Sequence, residues 1–256
     1  MVDLGGKTAI VTGAARRIGA AVARALAGRG VHVVAHYRAS SSDAEEMVAE
    51  LSALGVRSVA VAADFRTSGA AEMVFEEALR LTGKIDLLVN SASIFDEVSM
   101  AETTERQLHD NLQINAVVPF LLSRLLGSHI RARAAAGEEA RGAIVNFLDS
   151  RITDYDRRHL PYAVSKRALH TISQMTALEL APSVRVNAVA PGLILPPSGE
   201  GPEYLERLKS TNPLHSYGTL QQITESVLFL LSNEFVTGQT LFVDGGRHLK
   251  GSVYGS

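Results

Sequence analysis

The sequence predicts an α/β fold built on a doubly wound, seven-stranded parallel sheet with helices on both faces. Two observations carry this. Short Val/Ile/Leu/Ala runs recur along the chain with longer amphipathic segments between them, and the runs are continuously apolar rather than alternating. Continuous apolar character calls for burial on both faces, the condition of a parallel sheet covered by crossover helices. In order, the expected strands are 8–12, 31–36, 58–62, 85–90, 143–147, 185–190 and 240–243. Residues 20–28 place Ala and Leu at helical spacing, 43–54 follow a Ser run able to cap a helix, and 67–81 carry Met73, Val74 and Leu81 among charges. Longer helices are expected around 112–131 and 161–180. Right-handed crossovers then put ligands outside the carboxyl ends of the strands. Two segments stand outside the alternation. Residues 131–141 end a long helix in an exposed loop, and 191–213, rich in Pro, Gly and Ser, are either a substrate lid or a variable surface loop. With no repeat and no linker, 1–256 read as one domain.

Composition narrows the function. The 25 Lys and Arg stand against 27 Asp and Glu, so neither sign dominates and a nucleic-acid partner is not expected. Apolar residues make up 46% and charged residues 20%, which supplies a core and argues against disorder. The absence of Cys excludes thiolate catalysis, disulfides and Cys-based zinc sites and fits a reducing compartment, with the cytoplasm as expected location. No signal pattern opens the chain, because Lys7-Thr8-Ala9-Ile10-Val11-Thr12 reads as a strand, and apolar stretches such as 116–122 are too short to span a bilayer. His32 and His36 share a strand face without an added carboxylate, so no metal is expected.

Thr12-Gly13-Ala14-Ala15-Arg16-Arg17-Ile18-Gly19 follows the first strand and opens the first helix, the context that makes a glycine pattern a phosphate-binding hypothesis. Gly13 permits the tight turn, Gly19 close helix packing, and the helix N-terminus favours negative charge. Arg17 stands where such loops usually carry glycine, so ordinary backbone is expected there, with its guanidinium free to meet phosphate, substrate or only solvent. About twenty residues on, a cofactor lacking a 2′-phosphate would call for an acid. The chain instead reads His36-Tyr37-Arg38-Ala39-Ser40, and Arg38 with Ser40 suits the dianionic phosphate of NADPH. Asp64, before Phe65, fits either an adenine contact or the N-cap of the next helix.

Tyr162 and Lys166 lie one turn apart on a predicted helix, where a cation would lower the phenol pKa and ready it for proton transfer. Asp149 ends the fifth strand and Asn115 follows the fourth, both at the expected ligand edge. With Asn90-Ser91-Ala92, Pro191-Gly192 and Thr237-Gly238-Gln239 to Gly246, these motifs make the chain resemble the short-chain dehydrogenase/reductase family over essentially its full length. The resemblance implies a Rossmann fold, Tyr162 as acid/base, Lys166 as ribose anchor and phenol activator, and Asn115 as holder of a relay water. It further implies cofactor contacts from Gly13, Arg17, Ile18, Gly19, Tyr37, Arg38, Ser40, Asp64, Phe65, Asn90, Ser91, Ala92, Lys166, Pro191 and Gly192, the last two near the nicotinamide, and a homotetramer built on the two long helices.

Asp149 departs from the family's usual serine, and a carboxylate there would repel a developing alkoxide. It is better matched to a heterocycle bearing N–H donors or, when protonated, to donating toward a ring nitrogen. Arg17, His36-Tyr37-Arg38, Ser40, Ser93, Phe95 and Asp149 together resemble the pteridine reductase branch, and Phe147-Leu148-Asp149 with Asp244-Gly245-Gly246-Arg247-His248-Leu249 is similar to bacterial dihydromonapterin reductases. That likeness implies NADPH-dependent reduction of a dihydropterin (dihydromonapterin, dihydrobiopterin or dihydrofolate), with Arg17, Ser93, Phe95, Asp149 and Tyr162 on the substrate. Phe95 would stack the ring; a buried loop anchor is its other reading, and a carboxylate satisfied by backbone amides is that of Asp149. The rival activities are a carbonyl or 3-oxoacyl thioester reductase and a non-catalytic NADPH sensor. Arg151, Arg157, Arg158 and His159 fall between the fifth strand and the catalytic helix, as a solvated loop or an attractor of an anionic tail.

Overall fold

The computed structural model describes residues 1–155, 157–197 and 199–249. Seven strands, β1 (Thr8–Val11), β2 (His32–Tyr37), β3 (Ser58–Ala62), β4 (Leu87–Asn90), β5 (Gly142–Phe147), β6 (Val184–Pro191) and β7 (Thr240–Val243), pair in parallel in the order β3-β2-β1-β4-β5-β6-β7. The order reverses at β1, between β2 and β4, and opens a crevice at the carboxyl ends of these strands.

The period of two explains the double coverage. Ala9, Val11, Val33, Ala35, Leu87, Val89 and Val145 share one face with Leu26 of α1 (Arg17–Ala27) and Val227 and Leu230 of α8 (Leu220–Ser232). Ile10, Val34, Leu88, Ile144 and Val186 share the other with Val74 of α3 (Ala70–Thr82) and Leu122 and Leu126 of α5 (Val118–Ala135). The remaining helices are α2 (Ser41–Ala53), α4 (Glu105–Leu112), α6 (Leu160–Leu180) and α7 (Glu203–Leu208). Thr104 and Gln107 close a reciprocal capping box on α4, and Thr219 and Gln222 another on α8. By contrast, Ser40 precedes α2 without giving it a side-chain cap, correcting the role expected of the Ser run; Asp43 of the first turn binds the Arg16 guanidinium instead. Gly127 lets α5 and α6 close on each other, since a Cβ there would lie 2.6 Å from Leu180 Cδ2.

The segment expected as an exposed loop after residue 131 is partly an anchor. Helix α5 runs on to Ala135, and Arg133 turns inward to Asp86, Nη1 to Oδ1 at 2.8 Å, while Asp86 Oδ2 accepts the Thr8 N–H at 2.9 Å. Both side chains are largely withdrawn from water, 15% and 6% exposed. Removing one partner strands the other charge, so Asp86→Ala is expected to cost roughly 3 kcal/mol. A urea midpoint unchanged from the parent would contradict that. Among its described residues, the segment 191–213 carries the short α7.

Candidate active site

The phosphate loop leaves β1 at Thr12, whose Oγ1 accepts N–H bonds from Ser91 and Ala92, each 3.0 Å, and so ties the loops after β1 and β4 together. Gly13 has φ +66 and lies against Ala92, which strains any side chain there, and a Cβ on Gly19 would sit 2.2 Å from Gly13 O, so position 19 admits only glycine. Helix α1 begins with no side-chain cap at Arg16 and no acid in its first turn, which leaves its amide groups, including those of Ile18 and Gly19, to an anion. Arg17 corrects the expectation of ordinary backbone. Its φ is +57, because the turn keeps the left-handed geometry that a glycine would adopt freely, at a cost of about 1 kcal/mol for a side chain. Its Nη2 donates to Pro196 O at 2.8 Å, linking the phosphate loop to the segment after β6.

At the end of β2, Tyr37 is half-buried, Arg38 is exposed and Ser40 is half-buried. Asp64 Oδ1 accepts from the Arg66 N–H at 3.0 Å and its Nε at 3.1 Å, whereas α3 starts only at Ala70 behind Gly69, which removes the N-cap reading. Phe65 is buried against His36 and is closed to side-chain contact. Asn90 also points inward, Nδ2 to Asn146 Oδ1 at 2.8 Å, so Ser91 and Ala92 are what β4 offers the crevice. Gly192 packs on Asp244, whose Cα would meet a Cβ at 2.6 Å, and its N–H donates to Val243 O at 3.0 Å.

Beside this crevice, Asp149, Tyr162, Lys166, Ser93, Phe95 and Asn115 converge. The Tyr162 hydroxyl donates to Asp149 Oδ2 at 2.9 Å, and Asp149 Oδ1 accepts the Arg151 N–H at 2.8 Å and its Nε at 3.4 Å. One oxygen thus caps the following turn, as the backbone-amide reading of Asp149 expects, and the other faces the phenol. Lys166 is buried and its Nζ donates to Phe147 O at 2.8 Å. Burial, opposed by Asp149, pushes this ammonium down to about 8. The expectation that Lys166 lowers the phenol is overturned: burial first, then the charge and hydrogen bond of Asp149, hold Tyr162 well above its ordinary value, with Arg151 opposing. The carboxylate touches the phenol; the ammonium lies 5.7 Å from the ring centroid.

Asn115 sits in a π-helical turn, Gln113–Val117, between α4 and α5. Its Oδ1 accepts from Ser93 Oγ at 3.1 Å and Ile94 N at 3.0 Å, and its Nδ2 donates to Ile94 O and Ser165 Oγ, both 3.0 Å. The side chain thus pins the loop after β4 and has no capacity left for a water. Phe95 on that loop is 44% exposed, which excludes the buried-anchor reading. It stacks on His159, centroids 4.4 Å apart at 17°, meets Tyr162 edge-on at 4.7 Å, and has the Arg151 guanidinium at 5.4 Å. Val98 N donates to Arg158 O, so the loop after β4 is laced to the turn before α6. The recess lined by Asp149, Arg151, His159, Tyr162 and Lys166 has a volume of only about 10 Å³, and a larger cavity of about 830 Å³ lies by Asn212, Phe242 and His248.

Sequence reasoning missed two residues. The sequence places His36 in the segment that follows the phosphate loop and on one strand face with His32 but assigns it no role, although a His inside an apolar strand must find hydrogen-bond partners. For His159 the sequence offers a solvated loop or an attractor of an anionic tail; a partner for Phe95 is not encoded locally. His32 and His36 meet backbone groups, Arg57 N at 3.0 Å and Gly13 N at 3.2 Å respectively.

The family model described as enoyl-(acyl carrier protein) reductase matches residues 13–248. L-xylulose reductase of Mus musculus is 33% identical over 255 residues, covering 96% of this chain and 98% of that protein. Dihydromonapterin reductase of Escherichia coli O6:K15:H31 is 29% identical over 245 residues, covering 94% and 96%. The crystal structure of alternative dihydrofolate reductase 1 from Brucella canis, complexed with NADP, superposes with a TM-score of 0.89 at 30% identity, covering 99% of this chain and 98% of that one. The chain belongs to the short-chain dehydrogenase/reductase family of oxidoreductases.

Proposed function

We propose that the protein is an NADPH-dependent reductase of 7,8-dihydropterins. The observation that carries the substrate class is the Tyr162–Asp149 hydrogen bond of 2.9 Å beside the ring of Phe95, 4.7 Å from Tyr162. The cofactor choice is supported by the uncapped start of α1 and by Arg38 with Ser40 at a strand end that carries no acid. The Brucella canis relative complexed with NADP points the same way. When bound, NADPH supplies the hydride that reduces a ring carbon.

The chain's own residues handle orientation and the proton. Asp149 receives N–H donors of the heterocycle, and Phe95, released from His159, covers the ring's face, so orientation provides a large part of the rate. The Tyr162 hydroxyl carries the proton it donates to Asp149, and that proton passes to the ring nitrogen next to the reduced carbon. Lys166 and Arg151 offset the negative charge left behind. Ser93 and Asn115 fix the loop bearing Phe95, and a relay water in this reading rests on the backbone of the π turn rather than the Asn115 amide.

Lys166 gives a pH prediction. An amine lowered to about 8 is charged below that pH and neutral above it, so kcat/KM for NADPH is expected to be flat at neutral pH and to fall as pH rises through about 8. A flat profile to pH 10, measured with stability checked at each point, would contradict the role of Lys166.

The substrate test is NADPH oxidation with dihydromonapterin, dihydrobiopterin, dihydrofolate and an acetoacetyl thioester in parallel. Preference for the thioester replaces this reading with a ketoreductase, and binding of NADPH without turnover of any of them replaces it with a sensor. Assembly as a homo-oligomer, a tetramer in the family's pattern, is supported by Phe120, Met175 and Leu178, exposed on α5 and α6. Sedimentation at micromolar concentration checks it, a monomer being the contrary result.

A further inference from the structure

We propose that His36 is the positioning residue of the nucleotide site, one imidazole that locks the loops after β1 and β3 into the geometry a dinucleotide requires. This rests on the NADPH reading and goes beyond it, because His36 is only 2% exposed and touches protein groups rather than ligand.

The ring is engaged on both edges and one face. Nδ1 accepts the Gly13 N–H at 3.2 Å. Nε2 lies 3.1 Å from Ala63 O, and since a carbonyl only accepts, Nε2 carries the hydrogen. One neutral tautomer alone makes both bonds, and burial favours the neutral ring. Phe65 stacks on its face, centroids 4.0 Å apart at 18°. Backbone bonds run beside it, Ala14 N to His36 O and Ala63 N to Tyr37 O, each 2.9 Å.

Three subsites of the proposed cofactor site therefore meet at this ring. Gly13 opens the phosphate loop, Arg38 and Ser40 follow the strand that carries His36, and Asp64 follows Ala63. Neighbouring Val34 and Ala35 show that the strand accepts apolar side chains, yet an apolar residue at 36 would leave the Gly13 N–H without its acceptor in a buried setting. His32, on the same strand face, makes no comparable bridge: its Nδ1 takes an exposed amide at the start of β3. The bridge at His36 preorganises the site, which shows in affinity for the cofactor.

Two substitutions separate the two bonds. The Asn carbonyl in His36→Asn takes the place of Nδ1 and keeps the bond to Gly13; the Gln amide in His36→Gln takes the place of Nε2 and keeps the bond to Ala63. NADPH affinity, read by cofactor fluorescence, is expected to fall about tenfold in His36→Gln, the scale of one hydrogen bond, and by no more than about threefold in His36→Asn. The loss should appear in KM for NADPH rather than kcat. Wild-type affinity in both variants, or equal losses in both, overturns the proposal. Failure of the wild-type protein to bind NADPH overturns the cofactor reading instead. If neither variant folds, hydrogen exchange of the wild-type protein decides: NADPH should slow the Gly13 and Ala63 amides together, and protection of one alone overturns the bridge.

Discussion

Tyr162→Phe is expected to lower kcat for dihydropterin reduction by roughly 10²–10⁴-fold while leaving the NADPH dissociation constant within about threefold of the parent. The substitution removes one oxygen. Its hydrogen is the one donated to Asp149 Oδ2, and the ring that packs at 4.7 Å from Phe95 stays in place. Because the phenol is buried and held above its ordinary value, Tyr162 stays protonated throughout the neutral range, as a proton donor must. Stopped-flow NADPH oxidation separates the effect from binding. A variant that turns over dihydropterin at the parental rate would remove Tyr162 from the proton path.

Asp149→Asn is expected to lower kcat/KM for dihydropterins by about 10²-fold and to spare, or raise, any activity on a ketone or thioester. Asn retains a carbonyl oxygen for the Arg151 N–H, now 2.8 Å from Oδ1, so the turn after β5 keeps its cap. What is lost is the charge that accepts the Tyr162 hydroxyl and that, in the proposed reading, receives substrate N–H donors. The sign for Tyr162 follows: with the carboxylate gone, one of the causes raising its phenol disappears, and its titration moves down. A matched assay of both substrate classes, with ultraviolet titration of the tyrosines, reads both effects. Equal losses on dihydropterin and thioester would assign Asp149 a structural role and remove the main support for pterin chemistry.

The apolar runs of the sequence specified the sheet because a strand buried on both faces admits little else, and their boundaries moved by only a residue or two. Gly13 and Gly19 are legible as well, since a φ of +66 at the first strains a side chain and a backbone approach of 2.2 Å at the second tolerates none. Tyr162, Lys166 and Asp149 could be named from spacing and from their places at the carboxyl ends of strands. Their mutual chemistry could not. Spacing suggested that Lys166 activates the phenol, but the distances give that contact to Asp149, thirteen residues upstream of Tyr162. Arg17 in a left-handed turn, the Asn115 amide spent on Ile94 and Ser165, the Phe95–His159 stack and the bridge at His36 have the same origin. Sequence alone determined which strand ends form the crevice, because hydrophobic periodicity sets the strands and the strands set their ends. The tertiary structure alone decided what those groups do to one another, because protonation, hydrogen bonding and stacking depend on desolvation and on ångström-scale distances between residues remote in the chain.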